Sequence, residues 1–370
     1  MRAPLLACVL TLAPPAALAL APAAFDGGAT RAPLASRGGA PPAAPCDTLA
    51  AAGTPCVAAY ALTRALFAAY NEPLYQLRRA ADGATLDVRP LAPGGAADAA
   101  AHAAFCAGAA GAACVVQRLY DQTARGNTLD VAPAGGHVHT ADSPVNASDL
   151  RAALGGAQVF GALFGPGNGY RIENTTGVAK GDASETIYMV TSGLPEHVNS
   201  RCCFDFGNAE ADAKDHGKGT MEALYFGTST SARWSRGVGK GPWVMGDLEN
   251  GIWAGNETPV NTRSQPLTAP FVFAMLKGDS GNHWALKGGD ATAAPLMTMF
   301  DGTRPQGYAI MAKQGALILG IGGDNSDGAV GVFYEGAVTA GFSTDAADEA
   351  VFANVVAAGY ALPSAATDVG

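Results

Sequence analysis

The chain is short of positive charge. Its 370 residues include 23 lysines and arginines against 32 aspartates and glutamates, which gives a net charge of −9 at pH 7. Nucleic acids are bound largely through Lys and Arg side chains that neutralise phosphates. This charge balance therefore argues against a polyanionic partner such as nucleic acid.

The chain also lacks long apolar runs. Beyond its first 21 residues, no segment approaches the roughly 20 consecutive apolar residues that a membrane helix needs. The N terminus carries Arg2, an apolar stretch from Leu5 to Leu12, and small-residue sites at 17–19 and 19–21. This layout is typical of a secretory signal peptide. We expect residues 1–21 to be removed and the rest to be soluble, secreted and free of membrane.

Cysteine is scarce, and Cys8 falls in the predicted signal peptide. The other six are Cys46, Cys56, Cys106, Cys114, Cys202 and Cys203. Six cysteines allow 15 pairings. Local pairing within 46/56 and 106/114 would leave the two adjacent cysteines to each other. Their Cα atoms would then be about 3.8 Å apart, closer than the usual 4.4–6.8 Å or so, and pairing of each with a distant cysteine stays open.

No internal repeat and no linker is evident between Cys46 and Tyr360. Residues 22–45 are mostly Ala, Pro and Gly and are predicted to form a disordered leader, and residues 363–370 a short tail. Further on, segments rich in Val, Ile and aromatic residues alternate with Gly, Asn and Asp clusters, which is typical of strands and turns. Strands are predicted at 186–190, 221–226, 243–245, 271–276, 283–286, 316–321 and 330–334.

Only one segment is predicted to be helical. Residues 345–359 carry acids in the first turn, an apolar face, and Ser343 or Thr344 as a candidate N-cap. Residues 58–77 show a helix-like spacing that we do not take as a helix. We therefore predict one all-β domain over residues 46–362, with two packed sheets. The sequons at Asn146, Asn174 and Asn256 are candidate glycosylation sites, or chance matches in a chain rich in Gly and Thr.

Two segments carry candidate functional carboxylates. In residues 241–250 (GPWVMGDLEN), a strand would project Asp247 and Glu249 to one face. Two carboxylates on one face repel and usually need a partner or a ligand. In residues 315–328 (GALILGIGGDNSDG), an apolar strand leads to Asp324 beside glycines that let a ligand approach the backbone. A solvated strand face and a plain polar turn are the alternatives.

Four segments together resemble a known family. Residues 202–210 (CCFDFGNAE), 221–225 (MEALY), 241–250 and 319–326 (LGIGGDNS) are similar, in this order, to the catalytic domain of the fungal-type α-L-arabinofuranosidases B, glycoside hydrolase family 54. The resemblance runs from about Cys46 to Tyr360 and includes residues 120–122 (YDQ). It implies a concanavalin-like β-sandwich, or jelly roll. It also implies a retaining exo-hydrolase that releases terminal α-L-arabinofuranosyl groups from arabinoxylan, arabinan and related oligosaccharides.

The resemblance also assigns residues. It places the nucleophile at Glu249 and the acid/base at Asp324, two carboxyls that a retaining mechanism sets about 5–5.5 Å apart. It places the sugar contacts at Asp247, Asn250, Gly323 and a disulfide between Cys202 and Cys203. A further family contact falls on Gly251, where the side chain is missing. We expect no cofactor, no metal and a monomer. The family's C-terminal arabinose-binding β-trefoil is not part of these residues, so binding to polymeric arabinoxylan stays an open question.

Other interpretations compete with this one. Residues 278–281 (GDSG) look like a serine-protease loop, although no histidine has a protease context. His137 and His139 would share a strand face as a candidate zinc pair, without an evident third ligand. Glu222 is the rival nucleophile. A lectin-like β-sandwich that binds sugar without cleaving it is the alternative function, and the retention of two opposed carboxyls argues against it.

Overall fold

The protein is built almost entirely from β-strands. The computed structural model describes residues 43–107, 113–231 and 233–363. The predicted signal peptide, residues 22–42 of the predicted leader, and residues 364–370 lie outside these ranges. The prediction of an all-β fold is confirmed. None of the helices in the described ranges is both long and apolar enough to span a membrane.

The strands are numbered here in chain order. They are β1 Cys56–Ala61, β2 Tyr75–Arg79, β3 Thr85–Val88, β4 Cys114–Leu119, β5 Leu129–Val131, β6 Arg151–Leu154, β7 Ala157–Phe160, β8 Ala162–Phe164, β9 Tyr170–Ile172, β10 Glu185–Thr191, β11 Asp205–Ala209, β12 Glu222–Gly227, β13 Arg236–Gly237, β14 Trp243–Asp247, β15 Ile252–Trp253, β16 Val260–Asn261, β17 Val272–Asp279, β18 His283–Asp290, β19 Met297–Gly302, β20 Ala316–Leu319, β21 Gly331–Phe333, β22 Glu335–Ala340 and β23 Tyr360–Ala361.

Two antiparallel sheets dominate the described residues. One has six strands in the order β1-β22-β10-β17-β18-β19, and the other has ten in the order β15-β14-β12-β11-β20-β9-β5-β4-β2-β3. Strands β12 and β14 of the larger sheet pack against β17 and β18 of the smaller one. The two sheets therefore share one interior, as the sequence predicted.

Strand β10 shows how the layers are built. All seven of its residues are buried. Ile187 and Met189 point into the core between the sheets, whereas Tyr188 and Val190 point into a second apolar cluster on the other face. Because successive side chains alternate between the two faces, a strand covered on both faces carries apolar residues at successive positions, as at 187–190 (IYMV).

Helix α3 (Asp345–Ala358) covers that second face. Thr344 is its N-cap and accepts a hydrogen bond from the Ala347 N–H, and Gly359 ends the helix with φ 73°. This left-handed conformation is easily reached only by glycine. The predicted helix and its Thr344 cap are confirmed.

The expectation of a single helix is wrong. Helix α1 (Pro45–Ala51) begins at the last residue of the predicted leader and is joined to β1 by the Cys46–Cys56 disulfide. Helix α2 (Ala99–Ala107, AAAHAAFCA) is rich in alanine. Neither segment carries the repeating apolar and polar pattern that identifies a helix from sequence. Both lie against the rest of the domain, α1 against α3 and β1, and α2 against β3 and β7.

Candidate active site

One cavity contains all eight residues that the resemblance singled out. Its volume is about 170 Å³, small beside the roughly 300–1,000 Å³ of pockets for drug-sized ligands. It therefore suits one small polar ring. Its lining residues are Cys202, Cys203, Asp215, Met221, Trp234, Asp247, Glu249, Asn250, Gly251, Gly322, Gly323, Asp324 and Ser326.

Glu249 stands in a hairpin turn. Strand β14 ends at Asp247, and both Glu249 (φ 61°) and Asn250 (φ 58°) have left-handed backbones before β15 begins. Two successive positive φ values are typical of the tight two-residue turns that join antiparallel strands. The prediction that Asp247 and Glu249 share one face of a strand is wrong because the strand ends at Asp247, yet both residues line the same cavity. The Asp247 Oδ1 accepts a hydrogen bond from the Glu249 N–H at 3.2 Å.

Asp324 lies in the loop that follows β20. Its Oδ1 accepts the Ser326 N–H at 3.0 Å, and its carbonyl accepts the His137 N–H at 3.0 Å. The next residue, Asn325, is fully buried with φ 65°. Its Oδ1 accepts a hydrogen bond from Arg171 at 3.1 Å, and the same Arg171 nitrogen donates to the Gly323 carbonyl at 2.8 Å. The buried guanidinium thus anchors the loop on both sides of Asp324.

The adjacent cysteines form one wall. The structure contains the disulfides Cys46–Cys56, Cys106–Cys114 and Cys202–Cys203. The peptide between the last two is cis and brings their Cα atoms to 2.9 Å rather than the expected trans spacing. The Cys203 sulfur lies 3.4 Å from Asp247 Oδ2.

Backbone hydrogen bonds join this wall to the loop that carries Asp324. The Cys203 N–H donates to the Ser326 carbonyl at 3.2 Å, and the Gly328 N–H donates to the Cys202 carbonyl at 3.0 Å. The disulfide and Asp324 therefore form one continuous side of the cavity.

Burial raises the pKa values of two carboxyl groups in the cavity. It raises the pKa of Asp247 to about 7, with repulsion from Glu210 and Asp324 added. It raises the pKa of Glu249 to about 10, with the Glu210 and Asp247 carboxylates as the next causes. In the absence of a ligand, the site therefore retains protons at neutral pH.

Glycine is required at two lining positions. A Cβ on Gly323 would lie 2.0 Å from Glu210 Oε2 and 2.9 Å from Met221 Sδ. A Cβ on Gly251 would lie 2.2 Å from Trp253 Nε1 and 2.6 Å from the Tyr308 hydroxyl. Gly251 thus lines the cavity by its backbone, and Trp253 and Tyr308 occupy the space where a side chain would begin.

Several residues around the cavity were not predicted. Trp234, Asp215 and Met221 line it, and the Asp215 Oδ1 accepts a hydrogen bond from the Asn250 side chain at 2.9 Å. Asp205 is fully buried directly after the disulfide, and repulsion from Asp247 adds to the effect of burial on its pKa, which lies well above the ordinary value. Asp205 and Ser326 stand inside motifs used for the resemblance, whereas isolated Trp234 had no sequence signal.

The rival nucleophile is excluded by its surroundings. Glu222 is fully buried and accepts hydrogen bonds from Arg304 (2.9 Å) and Lys313 (2.8 Å). Burial alone would raise its pKa, but Lys313 and Arg304 lower it. A Cβ on Gly278 of β17 would touch its carboxylate, so this side chain points between the sheets and away from the cavity.

The protease-like loop and the candidate zinc pair also lack support. Ser280 lies in the β17–β18 turn, where its N–H donates to Asp279 Oδ1 at 2.9 Å. His137 and His139 lie outside strands, and no third ligand residue in the described ranges groups with them. In the same ranges, the one group with metal-like spacing is Cys202, Cys203 and Asp247, whose two sulfurs are bonded to each other. Of the sequons, Asn146 and Asn174 are exposed and Asn256 is half-buried.

Together, fold and site define a class of protein: an all-β domain whose small cavity combines carboxyl groups, glycines and a disulfide of adjacent cysteines. The chain belongs to the family described as alpha-L-arabinofuranosidase B, catalytic, which matches residues 45–361.

Curated relatives agree with this assignment. The alpha-L-arabinofuranosidase of Hypocrea jecorina is 48% identical over 326 residues, which cover 86% of this chain and 63% of the relative. The probable alpha-L-arabinofuranosidase B of Aspergillus fumigatus is 46% identical over 328 residues, which cover 87% and 63%.

A solved structure is also similar. An arabinofuranosidase complexed with arabinofuranosyl-alpha-1,2-xylobiose aligns with a TM-score of 0.82 and 43% identity, covering 87% of this chain and 66% of that one. The chain thus spans less than two thirds of the length of these relatives.

Proposed function

We propose that this protein is a secreted, retaining exo-α-L-arabinofuranosidase with a concanavalin-like jelly-roll fold. The observation that carries the proposal is the convergence of Glu249 and Asp324 on one ring-sized cavity beside the disulfide wall. The family match supports the activity, and three disulfides support an oxidising compartment such as the cell exterior.

The two carboxyls take different roles in this proposal. Glu249 attacks the anomeric carbon and forms a glycosyl ester, while Asp324 donates its proton to the departing oxygen and then activates water. Asp324 suits the second role because its side chain is 27% exposed, so water reaches it. Glu249, which is only 8% exposed, suits attack on a sugar that has displaced water.

Asp247, Asn250 and the Gly323 backbone bind the ring hydroxyls, and the Cys202–Cys203 disulfide carries the apolar face of the sugar. The cavity holds one ring and no more, which makes the enzyme exo-acting. A wider groove of about 650 Å³ adjoins it at Trp234 and Asn250 and includes Lys218, Arg233, Trp253 and Glu257. This groove receives the leaving group.

The leaving group is proposed to be a xylo- or arabino-oligosaccharide. Two family structures support this class, one with arabinofuranosyl-alpha-1,2-xylobiose and one, a glutamine-for-glutamate variant, soaked with 4-nitrophenyl α-L-arabinofuranoside. Each finding belongs to that protein and serves here as support only.

The test is hydrolysis of 4-nitrophenyl α-L-arabinofuranoside, followed by proton NMR of the first arabinose released. We expect the α-anomer first, because two inversions restore the configuration. Glu249→Gln is the matched control and should fold normally without turnover, since an amide cannot form the ester. First release of the β-anomer would refute the retaining mechanism, and sugar binding without turnover by the wild type would favour the lectin-like alternative.

A further inference from the structure

Glu210 lies directly behind the cavity and is fully buried. It follows β11 and is placed below the loop that carries Asp324. A Cβ on Gly323 would lie 2.0 Å from Glu210 Oε2 and 3.0 Å from Glu249 Oε2. Both carboxyl oxygens therefore lie close to the same glycine.

The remaining contacts of Glu210 leave one oxygen for Glu249. Its Oε1 contacts the Thr220 hydroxyl at 2.5 Å, while Oε2 is buried with no hydrogen-bond partner among the described residues. Arg171 donates to the Glu210 backbone carbonyl and also to the Gly323 carbonyl. A single buried guanidinium thus fixes Glu210 relative to the loop of the acid/base.

Thr220 suits either protonation state of Glu210. Its hydroxyl lies 2.5 Å from Glu210 Oε1 and 2.6 Å from the Gly217 carbonyl. A hydroxyl has one hydrogen and can also accept. It donates to Glu210 when that carboxyl is ionised. When Glu210 is protonated at Oε2, its Oε1 is still an acceptor, so the Thr220 hydroxyl can continue to donate to it.

We propose that Glu210 is a positioning residue that shares one proton with Glu249 and takes it over when the sugar binds, which leaves the nucleophile ionised. This inference rests on the proposed function. In the transfer, the O–H bond on Glu249 Oε2 breaks, one forms on Glu210 Oε2, and the negative charge passes to Glu249. The positive charge that develops at the anomeric carbon stabilises that charge, and the proton stays in the site.

The surroundings favour a shared proton over two free carboxylates. Burial raises the pKa of both Glu210 and Glu249. Two ionised carboxylates so close to one glycine would also repel each other. A coupled pair of this kind titrates in two steps that belong to the pair. The other charged or titratable groups around it are Arg171, Asp205, Asp212, Asp215, Asp247 and Asp324.

The experiment measures the reactivity of Glu249 independently of proton donation by Asp324. An arabinofuranose-configured cyclic sulfate labels the nucleophile with a leaving group that needs no protonation, so Asp324 does not limit the rate. The labelling rate constant is measured by intact mass over the pH range in which the protein stays folded. For the wild type we expect the rate to rise with pH in two steps.

In the variant Glu210→Gln, the labelling rate constant should rise with pH in one step and not in two. Because an amide carries no negative charge, Glu249 loses its proton more easily, and we expect the step to move to lower pH by about one unit, a tenfold change in ionisation. Glu185→Gln is the matched control: Glu185 is buried with a pKa raised to about 7, bonds to Lys313, and does not line the cavity. Its profile should keep two steps.

Two results would overturn the proposal. The first is a wild-type labelling rate that rises with pH in a single step, a result that does not depend on whether any variant folds. The second is a Glu210→Gln profile that superposes on that of the wild type. If the wild type neither hydrolyses the aryl arabinofuranoside nor takes the label, the proposed function itself fails. Hydrolysis with a one-step profile refutes the role of Glu210 alone.

Discussion

Single carboxyl groups decide the chemistry at the residue scale. Asp247 and Glu249 differ from ordinary surface acids because burial, more than any neighbour, raises their pKa values. Asp324 differs from both because it remains partly exposed at the cavity rim. The carboxyl groups of the cavity therefore stand in unlike environments, which is the condition under which two carboxyls can take unlike roles.

The role of Asp324 predicts a dependence on the leaving group. Asp324→Gly should lower kcat/KM by about 10²- to 10⁴-fold on arabino-oligosaccharides, which need protonation to depart. The loss on 4-nitrophenyl arabinofuranoside should be far smaller. Added azide should yield α-L-arabinofuranosyl azide, detected by mass and NMR, because it attacks the intermediate in place of activated water.

Asp324→Asn serves as the companion variant, since its Oδ1 can still accept the Ser326 N–H that shapes the loop. Equal losses on both substrate classes, without an azide product, would show that Asp324 acts only on structure.

At the scale of secondary-structure elements, turns and loops position the carboxyl groups and the disulfide of the cavity. The β14–β15 turn carries Glu249, the loop after β20 carries Asp324, and the segment before β11 carries the disulfide. Strands β14, β12, β11 and β20 are neighbours in the larger sheet. The β14–β15 turn leaves one end of these strands, whereas the disulfide segment and the Asp324 loop leave the other end. All three segments nevertheless line one cavity.

The disulfide wall is predicted to matter for binding more than for stability. Replacing Cys202 and Cys203 together by Ala removes a very small ring, so we expect a loss of only about 1 kcal/mol of unfolding free energy. The KM for the aryl arabinofuranoside should rise, because the sugar loses its apolar wall. Thermal unfolding and initial-rate kinetics measure the two effects.

The matched control replaces Cys46 and Cys56 by Ala. That bridge spans a sequence separation of 10 residues, so its loss should cost about 3 kcal/mol and leave KM unchanged. The reverse ranking of the two double variants would contradict this account of the wall.

Helix α3 is held to the smaller sheet by buried charge. Asp348 is fully buried and accepts hydrogen bonds from Lys277 and Lys287, each at 2.6 Å. Asp348→Ala would leave both cations without this partner, so we expect a loss of about 3–5 kcal/mol in chemical denaturation. The activity of the folded fraction should be unchanged.

Asp345→Asn is the control for this prediction. Asp345 bonds to the same two lysines, but its side chain is 78% exposed. Solvent screening should limit the cost of its substitution to about 1 kcal/mol. A larger cost at Asp345 than at Asp348 would show that the buried pair does not hold the helix.

At the scale of the whole molecule, the raised pKa of Glu249 lowers the free energy of unfolding as the pH rises. The folded protein keeps Glu249 protonated up to a pKa of about 10, whereas an unfolded Glu ionises near pH 4.3 or so. The folded state therefore binds more protons, and its stability falls as pH rises between these two values.

Glu249→Gln should remove this dependence. At pH 4 the variant and the wild type should have nearly equal melting temperatures. At pH 8 the variant should be more stable by up to about 5 kcal/mol, since each of the roughly 3.7 pH units between 4.3 and 8 contributes about 1.4 kcal/mol. Glu72→Gln, at a side chain that is 70% exposed, should show no such gain. A variant that is equally or less stable at pH 8 would contradict the raised pKa.

Much of the fold could be predicted from local pattern. The alternation in β10, the Thr344 cap and the Gly359 end of α3 depend on neighbours in the chain, and the sequence shows them directly. Helices α1 and α2 were missed because their alanine-rich segments carry no such pattern. Asp247, Glu249 and Asp324 were candidates from the strand pattern, whereas the other predicted cavity residues and all the roles were reached through the family resemblance.

The sequence by itself determined which residues can do chemistry, while the tertiary structure decided which of them meet. Glu222 and Glu249 are equivalent as isolated glutamates, but one points between the sheets into Lys313 and Arg304 and the other into the cavity. The meeting of Glu210, Glu249 and Asp324 depends on strand β20 pairing with β11 far away in the chain. Such long-range pairing, and the burial that shifts each pKa, arises only when the whole core forms, because no local segment can exclude water alone.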